Sequence, residues 1–336
     1  MTEQAAYRIL GSLGSPYSMK MRAIMRYRRL PHVWIQLREG HDAERAMVRA
    51  PVIPVIQYPD GTYHNDSTPM LYALERLHPG QRSIIPDDAA DAFLAGLIED
   101  MADEWGTKFM FHYRWFRERD QRQMSRWLAF DRFAGEGRTR IEAYATAFRD
   151  RQVGRMALVG CTPANQALIE SSCARLLAIL EAQVTEQPYL FGSRPSLAEF
   201  GWFGQLSQLI VDPTPNDVLR ATAPYTVRWL MQIDDASGVD GAWRGETSLP
   251  AAVGELLRLA GDIYFPFLSA NAEALARGAE TFSFKADGMG YEQGVFKYQA
   301  RCLQTLRDDW RGLPGAARER IEPLLAETGC LEPLNG

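Results

Sequence analysis

The residues with the most legible chemistry are Ser15-Pro16-Tyr17-Ser18, set between Gly14 and a basic stretch. The string has the spacing of a C-P-Y-C redox motif with a hydroxyl in place of each thiol. Disulfide reduction requires a protein thiol that can form a mixed disulfide, so thiol–disulfide exchange is lost here. A hydroxyl donor is kept. Ser followed by Pro is also a favoured helix start, with Ser15 as N-cap and Pro16 at the first helical position. A hydroxyl beside the positive end of a helix dipole stabilises an anion. Plain capping, which needs no ligand, is the competing account of Ser15.

Other chemistries find little support. The four cysteines (Cys161, Cys173, Cys302, Cys330) are scattered with no CxxC, which indicates neither a disulfide framework nor a zinc knuckle. The five histidines (His32, His41, His64, His78, His112) show no ligand spacing, so no metal is expected. A net charge of −5 gives no electrostatic reason for a nucleic acid or an anionic membrane as partner. No apolar run approaches the length of a membrane span, and MTEQAAYRIL lacks the regions of a signal peptide. The cytoplasm is the expected compartment. With 336 residues, 46% hydrophobic, the chain has room for two domains around sizeable cores.

The elements that must position Ser15 follow from periodicity. Tyr7 to Leu10 reads as a strand, and the helix after Ser15 carries an apolar stripe at Tyr17, Met21, Ile24 and Met25. Against it stands a basic face of Arg22, Arg26, Arg28 and Arg29, read as a solvated surface or a dimer contact. Val33 to Leu37 reads as a second strand, parallel to the first because a helix joins them. Val52 to Tyr58 is strand-like with Pro54 near its start, Pro59-Asp60-Gly61 is a turn, and Thr62 to His64 returns antiparallel. Asn65-Asp66-Ser67 offers caps for a helix through Leu77. The order βαβ then ββα describes an α/β domain with a mixed four-stranded sheet over residues 1–85.

Beyond residue 88 strand signals all but vanish. Helical periodicity runs from Asp91 to Trp127 with a break after His112, then from Pro163 to Val184. Ser196-Leu-Ala-Glu199 is a capping box opening a helix to Val211, which Pro213-Thr-Pro-Asn stops. Further helices are expected at Thr226–Ile233, Ala251–Ala260 and Tyr298–Trp310. The reading is an all-α domain over 90–235 and a helical, aromatic-rich extension over 236–336 packed on it.

This layout resembles the glutathione transferase superfamily, a thioredoxin-like N-terminal domain joined to an all-α C-terminal domain. Four features carry the resemblance: Ser15-Pro16-Tyr17-Ser18 at the start of the first helix, Ile53-Pro54 at the family's cis-proline position, Asp66-Ser67 at the γ-glutamyl site, and the Ser196–Glu199 capping box, with Glu where Asp is usual. Together they span about two thirds of the chain, and residues beyond about 235 exceed the family's usual length. The resemblance implies glutathione as co-substrate, a small-molecule electrophile as partner, and a homodimer. It places Ser15 at the thiolate, with Tyr17 and Ser18 as alternative hydroxyls. The Ile53 backbone would pair with the cysteinyl unit beside a cis Pro54, against a trans proline guarding a strand edge. Asp66 and Ser67 would take the γ-glutamyl end, against simple capping.

A free thiol titrates near 8.5, so only a few per cent is thiolate at neutral pH. Lowering that value by two units takes about 2.7 kcal/mol of preference for the anion, and one hydrogen bond to a charged group supplies about 1.5–3 kcal/mol. A positioned serine at a helix N-terminus therefore suffices. The stripe Trp105, Phe109, His112 and Phe116 could line the pocket of a bulky, aromatic electrophile, or be core; His112 is an acid or base only if it is not a satisfied buried histidine. Conjugation is the leading reaction. The S-P-Y string before a basic helix is also similar to bacterial glutathione-dependent β-etherases, and serine-type glutathione-dependent isomerases place a serine at the same point. A non-catalytic binding or interaction protein of the same fold is the contrasting class.

Overall fold

The computed structural model describes residues 6–80, 82–245 and 247–336. The N-terminal elements are β1 (Tyr7–Gly11), α1 (Pro16–Tyr27), β2 (His32–Gln36), a short α2 (Asp42–Arg45), β3 (Val55–Gln57), β4 (Tyr63–Asn65) and α3 (Ser67–Leu77). The sheet order is β2-β1-β3-β4, with β1 and β2 parallel and the other pairs antiparallel. This is the mixed sheet that the βαβ–ββα order requires. Ile9 of β1 and Ile56 of β3 lie opposite one another and are fully buried against Met21, Ile24 and Met25 of α1.

The helical part continues with α4 (Ala89–Glu104), α5 (Gly106–Phe116), α6 (Glu118–Phe133), α7 (Arg138–Gly154), α8 (Gln166–Glu186), α9 (Leu197–Leu209), α10 (Pro213–Thr222) and α11 (Pro224–Ile233). The helical stretch expected from Asp91 does break after His112, at Arg117, whose extended backbone separates α5 from α6, and it breaks earlier at Trp105 as well, which was not expected. Helix α7 lies outside the expected elements; its apolar face Ile141, Tyr144, Ala145 and Phe148 is narrow, and Ala145 is its one buried position. Pro213 does not merely stop a helix. It occupies the first turn of α10, where a missing N–H costs nothing.

Helix α9 joins the two domains. Ser196 caps it, its N–H donating to Glu199 Oε2 at 2.7 Å while its Oγ accepts from the Ala198 N–H at 3.2 Å. All thirteen residues of α9 are buried. A side chain at Gly201 would come within 3.2 Å of the Glu99 Cα on α4, and one at Gly204 within 2.9 Å of the Pro16 carbonyl on α1. These two glycines let α4 and α1 cross α9 at backbone distance. The basic face of α1 is only partly solvated: Arg22 and Arg26 both bind the Asp234 carboxylate, at 2.7 and 2.8 Å, just past α11, and Arg28 is buried, while Arg29 stays exposed.

The extension comprises α12 (Ala251–Leu259), a π-helical turn, α13 (Phe265–Ala276), β5 (Thr281–Ala286), β6 (Met289–Gly294), α14 (Lys297–Gly312), α15 (Gly315–Glu327) and α16 (Leu331–Asn335). It is not purely helical. Residues 281–294 form a hairpin in which Phe282 and Phe284 alternate with Ser283 and Lys285, closed by Asp287-Gly288, both at positive φ. The hairpin packs on the all-α domain, where Tyr291 lies 5.3 Å from the Trp105 ring. No helix among the described residues is long and apolar enough to cross a membrane.

Candidate functional site

The sheet register gathers the chemical residues at one end. Leu10 of β1 pairs with Val55 of β3, and Val55 pairs with Asn65 of β4. The end of β1, the start of β3 and the end of β4 therefore coincide. Ser15, Ile53-Pro54 and Asp66-Ser67, which follow or precede those residues, meet at that edge. The Ile53–Pro54 peptide is cis.

Ser15 is half-buried and caps α1, its Oγ accepting from the Ser18 N–H at 3.3 Å. Capping uses a lone pair and leaves the hydroxyl proton for another acceptor. Tyr17 has spent its proton on the Asp103 carbonyl at 3.0 Å, and burial pushes its phenol well above the ordinary range. Ser18 is fully buried, its Cβ within 2.9 Å of where a side chain on Gly11 would sit. Of the three hydroxyls, Ser15 alone is both reachable and uncommitted as a donor among the described residues.

The loop carrying Ser15 is held from the helical domain by side chains that the sequence reading did not single out. Arg114 of α5 donates to the Gly14 carbonyl at 2.7 Å, to Asp212 at 2.9 Å and to Gln208 at 2.8 Å; Gln208 in turn donates to the Leu13 carbonyl at 3.2 Å. All three side chains are buried. An arginine inside an aromatic helix, GTKFMFHYRWF, was the available signal.

Behind Asp66-Ser67 lies a buried ionic cluster. Lys20 of α1, with no exposed surface, binds Asp103 at 2.7 Å and also Glu99, both on α4. Ser67 Oγ reaches Asp103 at 3.5 Å, and Thr68 Oγ1 donates to Glu99 at 2.7 Å. Burial holds the Asp103 carboxyl up at about 7, against the pull of the facing Lys20. Burial would lower the Lys20 ammonium, but the two carboxylates raise it above its usual value. The repeat EDMADE, with acids at 99, 100, 103 and 104, foreshadowed this face. Asp66 enters α3 at φ 74° and makes no cap; its carboxylate instead accepts from Tyr298 of the extension, 3.3 Å to each oxygen.

The aromatic stripe lies elsewhere than the expected pocket. Trp105, Phe109 and His112 are fully buried, and Phe116 is half-buried against the His112 ring at 4.6 Å. The stripe faces the bundle and the extension: the Trp105 indole donates to Ser172 at 3.1 Å and packs edge-on to Phe267. His112 Nε2 lies 2.9 Å from Glu170, and burial lowers its imidazole below the ordinary value. One large cavity lies away from that stripe. It holds about 860 Å³ between the β1–α1 loop and α6–α7, lined by Leu13, Gly14, Trp127, Leu128, Phe130 and Ile141 among others. A smaller one of about 200 Å³ lies between α5 and α14, lined by Glu104, Thr107, Lys108, Phe111, Phe296 and Tyr298 among others.

Residues 10–82 match the family model for the glutathione S-transferase N-terminal domain. This domain is that of the glutathione transferase superfamily. Solved structures similar to the chain include a glutathione S-transferase from Methylobacterium radiotolerans in complex with glutathione sulfonate, at 19% identity over 72% of this chain and 98% of that one, with a TM-score of 0.43. A glutathione transferase from Phanerochaete chrysosporium is 16% identical over 71% and 100%, with a TM-score of 0.49. A β-etherase from Sphingobium sp. strain SYK-6 is 14% identical over 75% and 98%, with a TM-score of 0.47. No curated protein matches the chain. The matched segment contains Ser15, Ile53-Pro54 and Asp66-Ser67, while Tyr298 lies far outside it.

Proposed function

We propose that this chain binds glutathione across the end of the sheet and holds its sulfur as thiolate at Ser15 for transfer to a bulky, apolar electrophile. The observation that carries the reading is the state of Ser15: half-exposed, at the N-terminus of a twelve-residue helix, with its hydroxyl proton uncommitted. That proton and the helix dipole are the two contributions needed to hold a thiolate at neutral pH. Glutathione loses its thiol proton to solvent, the Ser15 hydroxyl donates to the sulfur, and the sulfur attacks an electrophilic carbon. A C–S bond forms as the bond to the leaving group breaks and that group departs with its electron pair. The Ile53 backbone takes the cysteinyl unit, and the start of α3 with Asp66 and Ser67 takes the γ-glutamyl end. The cavity beside Leu13 and Gly14, whose lining includes Trp127, Leu128 and Phe130, receives the electrophile.

The test is turnover of chlorodinitrobenzene by the wild-type chain and by Ser15→Ala. The variant should still be retained on immobilised glutathione, while its turnover at pH 7 falls about 10- to 100-fold and its rate profile moves toward the free-thiol value near 8.5. Unchanged turnover would remove Ser15 from the mechanism, and a wild-type chain that fails to bind glutathione would overturn the reading as a whole.

A further inference from the structure

The matched domain stops at residue 82, yet the Asp66 carboxylate is met by a side chain from residue 298, on the extension. That contact is built in. The Phe296 N–H donates to Asn271 Oδ1 at 2.8 Å and Asn271 Nδ2 donates to the Phe296 carbonyl at 2.9 Å, with Asn271 fully buried, so the first turn of α14 is fixed. Arg301, one turn on, lies over the Tyr298 ring at 5.1 Å. The hairpin just before it is tied to α8 by Asn165, which bonds both the N–H and the carbonyl of Glu292. Tyr298 is thus presented at Asp66 by a rigid support, while 39% of its surface stays open to solvent.

The geometry leaves both partners unsaturated. One O–H shared between two carboxylate oxygens at 3.3 Å each is a long, weak arrangement. A carboxylate has about four acceptor positions, and a phenol that donates its proton still offers two lone pairs. Asp66 and Tyr298 together therefore form a cleft of acceptors with one negative charge, at the mouth of α3. Tyr298 also lines the small cavity against Thr107 and Lys108. An ammonium group, with three N–H donors, fits such a cleft by a charge-assisted bond to Asp66 and a second bond to the phenol oxygen.

We infer that the extension completes the glutathione site: Tyr298 is a binding residue for the γ-glutamyl ammonium, acting with Asp66. This rests on the glutathione reading above. It gives the additional hundred residues a role in the site, where an isolated N-terminal domain would present Asp66 alone.

The experiment is calorimetric titration of the full chain and of Tyr298→Phe with two ligands, glutathione and its des-amino analogue glutaryl-cysteinyl-glycine. The wild-type chain should prefer glutathione. Tyr298→Phe keeps the ring under Arg301 and should weaken glutathione about tenfold while changing the analogue less than twofold. Asp66→Asn should show the same selective loss, larger in size, and guards against a fault peculiar to the first variant. Equal or tighter glutathione binding by Tyr298→Phe overturns the inference, the tighter case showing that the phenol competes with the ammonium. Equal losses for both ligands also overturn it, since they mark a structural effect. Failure of the wild-type chain to bind either ligand overturns the glutathione reading itself, and the inference with it.

Discussion

Two lysines are taken out of water on the two seams of this molecule, with opposite consequences. Lys20, at the seam between the N-terminal and helical domains, meets the Asp103 and Glu99 carboxylates, and its ammonium is raised above the ordinary lysine value. Lys108, at the seam with the extension, donates to the Val159 carbonyl at 3.0 Å and to the Gln293 side-chain oxygen at 2.6 Å. Burial lowers it to about 8, only partly offset by Cys161 and Glu104. Both are almost wholly covered. What separates them is the charge of the acceptors: formal anions offset desolvation, whereas neutral oxygens satisfy hydrogen-bond geometry without doing so. At Lys20 the domain seam is thus held by charge, and at Lys108 the extension seam is held by neutral hydrogen bonds, although Arg244 and Asp91 add an ion pair at 2.7 Å elsewhere on that second seam.

The strongest way to break this contrast is Lys20→Met. It leaves two buried carboxylates without their cation and should cost about 3–5 kcal/mol, read as a lower urea midpoint with an unchanged slope. A loss under about 1 kcal/mol would show that the acids neutralise themselves by protonation. Lys108→Met strands only neutral acceptors and should cost about 1–2 kcal/mol near neutral pH. Its pH dependence sharpens the comparison. Lys108 holds its proton less tightly in the folded chain, at about 8, than in the unfolded chain, at about 10.4. Between those values the unfolded state binds more protons, so this lysine makes wild-type stability rise with pH across the window. The cost of Lys108→Met should grow from pH 8 toward about 10.4, as denaturation at several pH values would register; a cost flat with pH would mean that Lys108 titrates normally. The smallest effect is expected from Asp234→Ala, which frees Arg22 and Arg26. Arg26 and Asp234 are part-exposed and only Arg22 is buried, so the loss should stay near about 1 kcal/mol and shrink with added salt.

Much of the N-terminal domain was legible because its signals are short-range. The cap at Ser15, the hairpin and the capping box at Ser196 each depend on residues within a few positions of one another, whereas the cis peptide before Pro54 was expected only from the resemblance. The hairpin at 281–294 carried an equally local signal, alternating Phe282 and Phe284 before Asp287-Gly288, and the aromatic count masked it as helix. The stripe Trp105, Phe109, His112 was visible as a helical face. Whether that face met solvent, substrate or core depended on α8 and the extension, which cover it.

By itself the sequence determined that exchange chemistry is absent at Ser15-Pro16-Tyr17-Ser18, that a hydroxyl stands at a helix start, and that a mixed sheet precedes a helical region. Those properties follow from side-chain type, capping and periodicity, which act over one or two turns. Only the tertiary structure decided which hydroxyl keeps its proton, that Arg114 pins the Gly14 carbonyl, that Lys20 binds α4, and that Tyr298 reaches Asp66. Those pairs are separated by 79 to 232 positions in the chain. The physical reason is that local torsional and capping preferences carry no information about which distant surfaces will meet. That is settled by how α1 and α4 cross α9 at Gly204 and Gly201, and by where the buried face of the extension comes to rest.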